Sequence, residues 1–212
     1  MSSLTIDKIH QALALHNFDT VAAQKKMLPF GSAERVLPDN AALRVGAVLL
    51  LLYCRKHEIN LVLTKRCETL NSHAGQISFP GGRQEDAETL LTTALRETEE
   101  EVGIPATAVQ TLGELTSIYI PPSGFLVHPF VGWYQNGGEP TFVPCENEVA
   151  EIIEVPLRTL LAPETAVSEP WDFKGREVMV PYFAIEDHKV WGATAIMLSE
   201  FVERLRIVTG TS

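Results

Sequence analysis

The stretch from Gly82 to Gly103 constrains this chain more than any other. Between those glycines, Asp86 to Val102 runs without Pro or Gly and is rich in Leu, Ala, Glu and Thr, while Gly103 and Pro105 halt it. The pattern predicts one principal helix within that stretch, running from about Glu88 to Val102. On such a helix Glu97, Glu100 and Glu101 stand at i, i+3 and i+4 and share a face. Leu91, Ala94, Leu95, Thr98 and Val102 fall on a different arc, an apolar stripe for packing against a sheet. Like charges at i, i+4 cost an isolated helix about 0.2–0.5 kcal/mol per pair, so helix stability does not ask for the acidic face. A bound cation would turn the penalty into a coordination shell, and hard carboxylate oxygens suit Mg²⁺ or Mn²⁺. Taken alone, an acidic run is more often a solvated helical face. Here Gly81 and Gly82, just ahead of the helix, let the backbone approach a metal or phosphate closely.

The rest of the chain supplies a sheet for that helix. Residues 4 to 15 have amphipathic spacing, suited to covering the core or a partner subunit, and Met27 to Asn40 read as an irregular connection because of Pro29, Gly31 and Pro38. The expected organisation is thus a helical extension and connection over residues 1–40 and the main domain over 41–212. Val45 to Tyr53 and Ile59 to Thr64 are expected as adjacent central strands, with Val109 to Ile120, Val127 to Tyr134 and Val178 to Ile185 as further strands. Glu148 to Glu154 is open between helix and strand, Pro156 to Leu161 starts a short helix, and Ala193 to Val208 is a closing helix.

With 212 residues, of which 45% are hydrophobic and 21% charged, the chain can bury one sizeable core. Its 27 acidic against 17 basic residues give a formal charge of −10, a surface that repels nucleic acid unless a basic patch offsets it, and no such patch stands out. The same charge repels a polyphosphate, so an anionic substrate would need a cation between it and the protein. The longest apolar run, Val45 to Tyr53, is far short of the roughly 20 residues of a membrane span. Asp7 and Lys8 sit where a secretory signal would be apolar, and a cytoplasmic protein is expected. Cys54, Cys67 and Cys145 are odd in number and widely spaced, which argues for free thiols over disulfides or a zinc site.

Read in full, Gly82, Glu88 after five residues, then Arg96-Glu97 after seven more, Glu100-Glu101, Gly103 and Ile104 resemble the Nudix hydrolase signature G-x5-E-x7-R-E-U-x-E-E-x-G-U, where U is a bulky aliphatic. Thr98, at a U position, is the one departure. The resemblance implies an α/β fold, a Nudix-type α/β/α sandwich with a mixed β-sheet. It also implies Glu97 and Glu101 as metal ligands, Glu100 as a further ligand or base, Gly81 beside the metal, and Arg96 orienting the carboxylates.

Upstream, Val62 to Gly82 is similar to the motif L-L-T-x-R-S/A-x3-R-x3-G-x3-F-P-G-G of the coenzyme A pyrophosphatase subfamily, with Arg66, Gly75 and Phe79 to Gly82 in register. Ser123-Gly124-Phe125, Pro129, Glu148-Val149 and Val155-Pro156-Leu157 extend the likeness over about residues 43 to 160. Val62 and Cys67 depart from that motif without consequence, whereas Asn71 stands where a second arginine would offer charge to a phosphate. Arg66 is the remaining candidate phosphate clamp, and His73, Gln76 and Ser78 are candidates to hydrogen-bond substrate. Trp133, Tyr134 and Trp191 are candidates to stack on a base, though aromatics in strand-like segments ordinarily belong to the core.

The implied chemistry is water attack on a diphosphate assisted by Mg²⁺ or Mn²⁺, with Glu100 or Glu148 as the proton acceptor; the residues alone do not choose between them. For coenzyme A the products would be 3′,5′-ADP and 4′-phosphopantetheine. ADP-ribose, dinucleotides and nucleoside triphosphates stand as alternative substrates, and a nucleotide-sensing module as the non-enzymatic alternative. The first and last helices are a candidate homodimer surface.

Overall fold

The computed structural model describes residues 4–30, 43–68, 75–173 and 175–211. In chain order its elements begin with α1 (Ile6–Leu13), α2 (Thr20–Lys25), β1 (Arg44–Arg55), β2 (Glu58–Arg66), β3 (Ile77–Ser78), β4 (Gly81–Arg83) and α3 (Leu90–Val102). There follow β5 (Val109–Glu114), β6 (Ile118–Ile120), β7 (Phe125–Tyr134), β8 (Val149–Pro156), α4 (Leu157–Leu161), β9 (Ala166–Phe173), β10 (Arg176–Ile185), β11 (His188–Val190) and α5 (Gly192–Thr209). They divide into two compact units, residues 35–157 and residues 1–34 with 158–212.

The first unit is a mixed sheet. β1 and β2 pair antiparallel, with Leu52 opposite Leu61, across a tight turn whose central residues Lys56 and His57 both have positive φ (49° and 65°). That is the turn geometry whose twist matches the strands it joins. On its other side β1 runs parallel to β7, from Arg44 opposite Phe125 to Leu52 opposite Trp133, giving the order β3-β2-β1-β7-β5. β4 pairs with the start of β1, β6 with β7, and β8 with β2. The segment open between helix and strand is therefore the strand β8.

Alternation along β1 decides where α3 lies. Ala47, Leu49, Leu51 and Tyr53 project to one face, where they join Val62, Ala94, Val102, Ile104, Ala108 and Val109 in a buried cluster. Leu50 and Leu52 point the other way and are also buried, the pattern of a central strand. Thr98, the polar residue in the apolar stripe, is fully buried and stays satisfied because its hydroxyl donates to the Ala94 carbonyl at 2.6 Å.

Two expectations shift. The helix begins at Leu90, not near Glu88, because the Thr89 hydroxyl caps it by accepting from the Thr92 N–H at 3.1 Å. Ala87 just before takes a positive φ of 68°. The expected single strand from Val109 to Ile120 is two, β5 and β6, interrupted at residues 115–117, and both pair with β7. β9 and β11 carried no clear sequence signal: β9 contains Pro170 and β11 is only three residues long.

The second unit holds the antiparallel sheet β9-β10-β11 and a helical cluster in which α1 and α2 pack on α5. Ile9 and Ala12, on the apolar side of α1, are fully buried, so that face is already used within the unit. Glu200 of α5 is fully buried; it receives Gln24 Nε2 at 2.9 Å and Arg204 Nε at 3.1 Å. Arg204 also donates to the carbonyls of Ala12 and Leu15 and stacks on Phe18. Trp191 meets Trp171 edge-on within this unit, and Tyr134 packs against the core of the other, so both serve as packing aromatics. The cysteines are free thiols, Cys54 exposed and the others half-buried, and no described helix is long and apolar enough to cross a membrane.

Candidate active site

The turn between β3 and β4 and the last two turns of α3 face each other across two glycines. At Gly81 (φ 154°) a Cβ would lie 2.4 Å from the Ala47 carbonyl oxygen, and at Gly82 it would lie 2.4 Å from the Glu97 carboxylate. A side chain at Gly81 would run into backbone, whereas one at Gly82 would have to push the Glu97 carboxylate aside, and the bare backbone lets Glu97 rest against Gly82. The Gly81 N–H donates to the Glu101 carboxylate.

Glu101 lies where the acidic and apolar arcs of α3 meet, and only 2% of it is exposed. Burial, reinforced by Glu97 and Glu148, pushes its carboxyl up to about 8 even though Arg66 opposes the shift. Arg66 Nη1 stands 3.5 Å from Glu101 Oε1. The other oxygen, Oε2, is buried with no hydrogen-bond partner among the described residues. Glu97 is half-buried and also shifted upward, by burial first, with Arg96 pulling the other way and Glu100 and Glu148 adding repulsion.

Arg96 organises the rest. It reaches Glu88 through Nε (3.2 Å) and Nη2 (3.0 Å), Glu97 through Nη1 (3.1 Å), Glu100 through Nη1 (2.9 Å) and the Arg83 carbonyl through Nη2 (3.3 Å). Glu88 was legible only as a signature position and no site role was expected of it. It accepts from Arg96, the Glu85 N–H and Thr93 Oγ1, and those bonds hold its carboxyl down at about 2. Glu100 is the most exposed of the three helical carboxylates and is tied to Arg96.

Glu148 arrives from a segment with little sequence signal. The backbone from Val143 to Val149 caps the end of α3: Val143 N–H donates to Val102 O and Cys145 N–H to Glu101 O, both at 3.0 Å. Glu148 and Val149 then bond back to Cys145 O at 2.9 and 2.8 Å, a turn that delivers the exposed Glu148 within electrostatic reach of Glu97 and Glu101. Ser78 is half-buried, its hydroxyl 3.4 Å from Thr64 Oγ1, and Gln76 O accepts from the Arg66 N–H at 3.0 Å. His73 and Asn71 lie outside the described residues.

Among the described residues no three Asp, Glu, His or Cys side chains converge as a ready-made ion cage. Mg²⁺ does not require one, because it takes one or two carboxylates and keeps waters for the remaining positions. A buried carboxylate oxygen without a partner, flanked by a second carboxylate, is the donor set that such an ion completes. The residues fit a hard divalent cation.

Comparison with known proteins agrees with this geometry. The family model for the NUDIX domain matches residues 43–176. The uncharacterised Nudix hydrolase NudL of Photorhabdus laumondii is 38% identical over 165 residues, 77% of this chain and 86% of that protein. NudL of Yersinia pestis is 37% identical over 172 residues, 79% and 83% of the two chains. In fold, the Nudix hydrolase RenU of M. smegmatis superposes with a TM-score of 0.53 over 83% of this chain and 94% of its own, at 17% identity. The MutT protein of Methanosarcina mazei gives 0.52 over 81% and 99%, at 18% identity. The expected mixed α/β architecture with a mixed sheet is therefore the Nudix fold, and the chain belongs to the Nudix hydrolase family of pyrophosphatases.

Proposed function

We propose that this Nudix pyrophosphatase hydrolyses coenzyme A or its thioesters to 3′,5′-ADP and 4′-phosphopantetheine or acyl-phosphopantetheine, using Mg²⁺ or Mn²⁺. The observation that carries the metal is the buried, unpartnered Oε2 of Glu101. Glu97 and Glu101 would hold the ion, with Glu100 and the Gly81 carbonyl as further donors. Once bound, the ion supplies Lewis acidity and lowers the pKa of water. The chain's own contribution is positional: Arg96 fixes Glu97 and Glu100 by their oxygens, and Gly82 leaves room for Glu97.

For the proton acceptor the reading favours Glu148 over Glu100. Arg96 engages the Glu100 carboxylate at 2.9 Å, whereas Glu148 stands exposed on the turn that caps α3. Arg66, Gln76, Ser78 and His73 are the proposed substrate contacts, Arg66 for a phosphate. Coenzyme A is favoured by the residues from Arg66 to Gly82, and Asn71 is the one position there that withholds a charge.

Product analysis tests the reading. Mass spectrometry after incubation of coenzyme A with enzyme and Mg²⁺ is expected to find the 3′,5′-ADP and phosphopantetheine pair, with kcat/KM above that for ADP-ribose, diadenosine polyphosphates and nucleoside triphosphates. Cleavage of one of those in preference to coenzyme A would reassign the substrate.

A further inference from the structure

Arg66 owes its position to a defect in the sheet. The pairing of β2 with β8 slips between Lys65 and Arg66, and bulges of this kind re-aim a side chain. Beyond the slip the Arg66 backbone is held on both sides, its N–H donating to Gln76 O at 3.0 Å and its carbonyl accepting from Gly75 N–H at 3.2 Å. The side chain, a quarter exposed, brings Nη1 to 3.5 Å from Glu101 Oε1. That is longer than a charge-assisted hydrogen bond of about 2.7–2.9 Å. The contact is an ion pair, loosely seated, and it serves one oxygen of a carboxylate whose other oxygen is buried and unserved.

We propose that Arg66 is the resident counter-ion of Glu101 in the metal-free protein, that a divalent ion competes with it for that carboxylate, and that the displaced guanidinium takes a phosphate of the substrate. The proposal rests on the functional reading above and adds an order to it, metal first and diphosphate second. Arg66 and the ion would share the Glu101 carboxylate and repel each other there, although Glu97 and Glu148 attract both. Arg66 and the ion together place like charges a few ångströms apart in a poorly solvated site. Arginine is suited to the exchange because its fork matches a phosphate as well as a carboxylate and its charge is permanent.

Two measurements without turnover test it. First, Mn²⁺ affinity by isothermal titration at pH 8.5, where the Glu101 carboxyl is mostly ionised, in the absence of substrate: Arg66→Gln is expected to bind Mn²⁺ about fivefold more tightly or better, a typical size for coupling between ligands. Arg66→Lys, which keeps the charge, should stay within about twofold of the parent. Second, in the unaltered protein, labelling by phenylglyoxal read at the Arg66 peptide should quicken several-fold when Mn²⁺ is added. In turnover, Arg66→Gln should raise KM for coenzyme A more than it lowers kcat. Equal or weaker Mn²⁺ affinity in Arg66→Gln, or labelling of Arg66 that stays level or slows with Mn²⁺, would overturn the exchange. Were the unaltered protein to bind no Mn²⁺ and cleave no diphosphate, the functional reading itself would fall, which separates the two failures.

Discussion

At the scale of single residues, the account depends on how two glutamates of one signature are held at opposite ends of the titration range. Glu88 is held near 2 by Arg96, the Glu85 N–H and Thr93, so its bonds stabilise the fold above its ordinary 4.5 and are lost as pH falls from there towards 2. Glu88→Gln would leave Arg96 half-anchored, and Mn²⁺ affinity or kcat should fall by about 10- to 100-fold while the circular dichroism spectrum is kept. Glu101 has the opposite sign. With its carboxyl raised to about 8 by burial, the metal-free native state keeps, up to that pH, a proton that the unfolded chain has released above 4.5, and Arg66 is its counter-ion once the proton has left. Its contribution to stability therefore declines as pH rises from 4.5 through 8 and is level beyond. Metal ligation needs the carboxylate, so binding must expel that proton. Calorimetry in buffers of different ionisation enthalpy should report close to one proton released per Mn²⁺ at pH 7, fading above pH 8, with apparent affinity rising over the same window.

At the scale of elements, what was legible in the sequence follows from which features are local. The acidic face of α3 and its stop at Gly103 depend on residues within a few positions of one another, and the stop is a left-handed glycine cap with φ 75°. The turn of β1 into β2 is local in the same sense. The start of α3 was displaced because Glu88 folds back onto the Glu85 N–H and leaves the cap to Thr89. The burial of Glu101, the aim of Arg66 and the cap formed by Val143 and Cys145 are tertiary facts. They arise from a register slip and from backbone bonds between segments some 40 residues apart, for which no periodicity exists in the sequence. Glu148 was legible as a candidate but its route to the site was not. The helical cluster of the second unit supplies its own test. Arg204 is a buried charge facing fully buried Glu200, and Arg204→Met removes the cation that faces that carboxylate. Urea denaturation is expected to show a loss of about 3 kcal/mol, with Glu200→Gln combined with Arg204→Met recovering part of it.

At the scale of the whole molecule, a chain of formal charge −10 belongs to a family whose substrates are themselves anions. The proposed resolution is local: carboxylates placed to hold a divalent ion, with two arginines, Arg66 and Arg96, beside them. Everything the protein is proposed to do passes through that arrangement, and its most buried member is Glu101. The direct measurement is Mn²⁺ titration of Glu101→Gln beside hydrolysis of coenzyme A and the diphosphate panel. The account predicts that the ion's affinity drops by at least about tenfold and that turnover of every substrate falls by about a hundredfold or more, in a protein that still folds. Unchanged affinity together with unchanged turnover would contradict it.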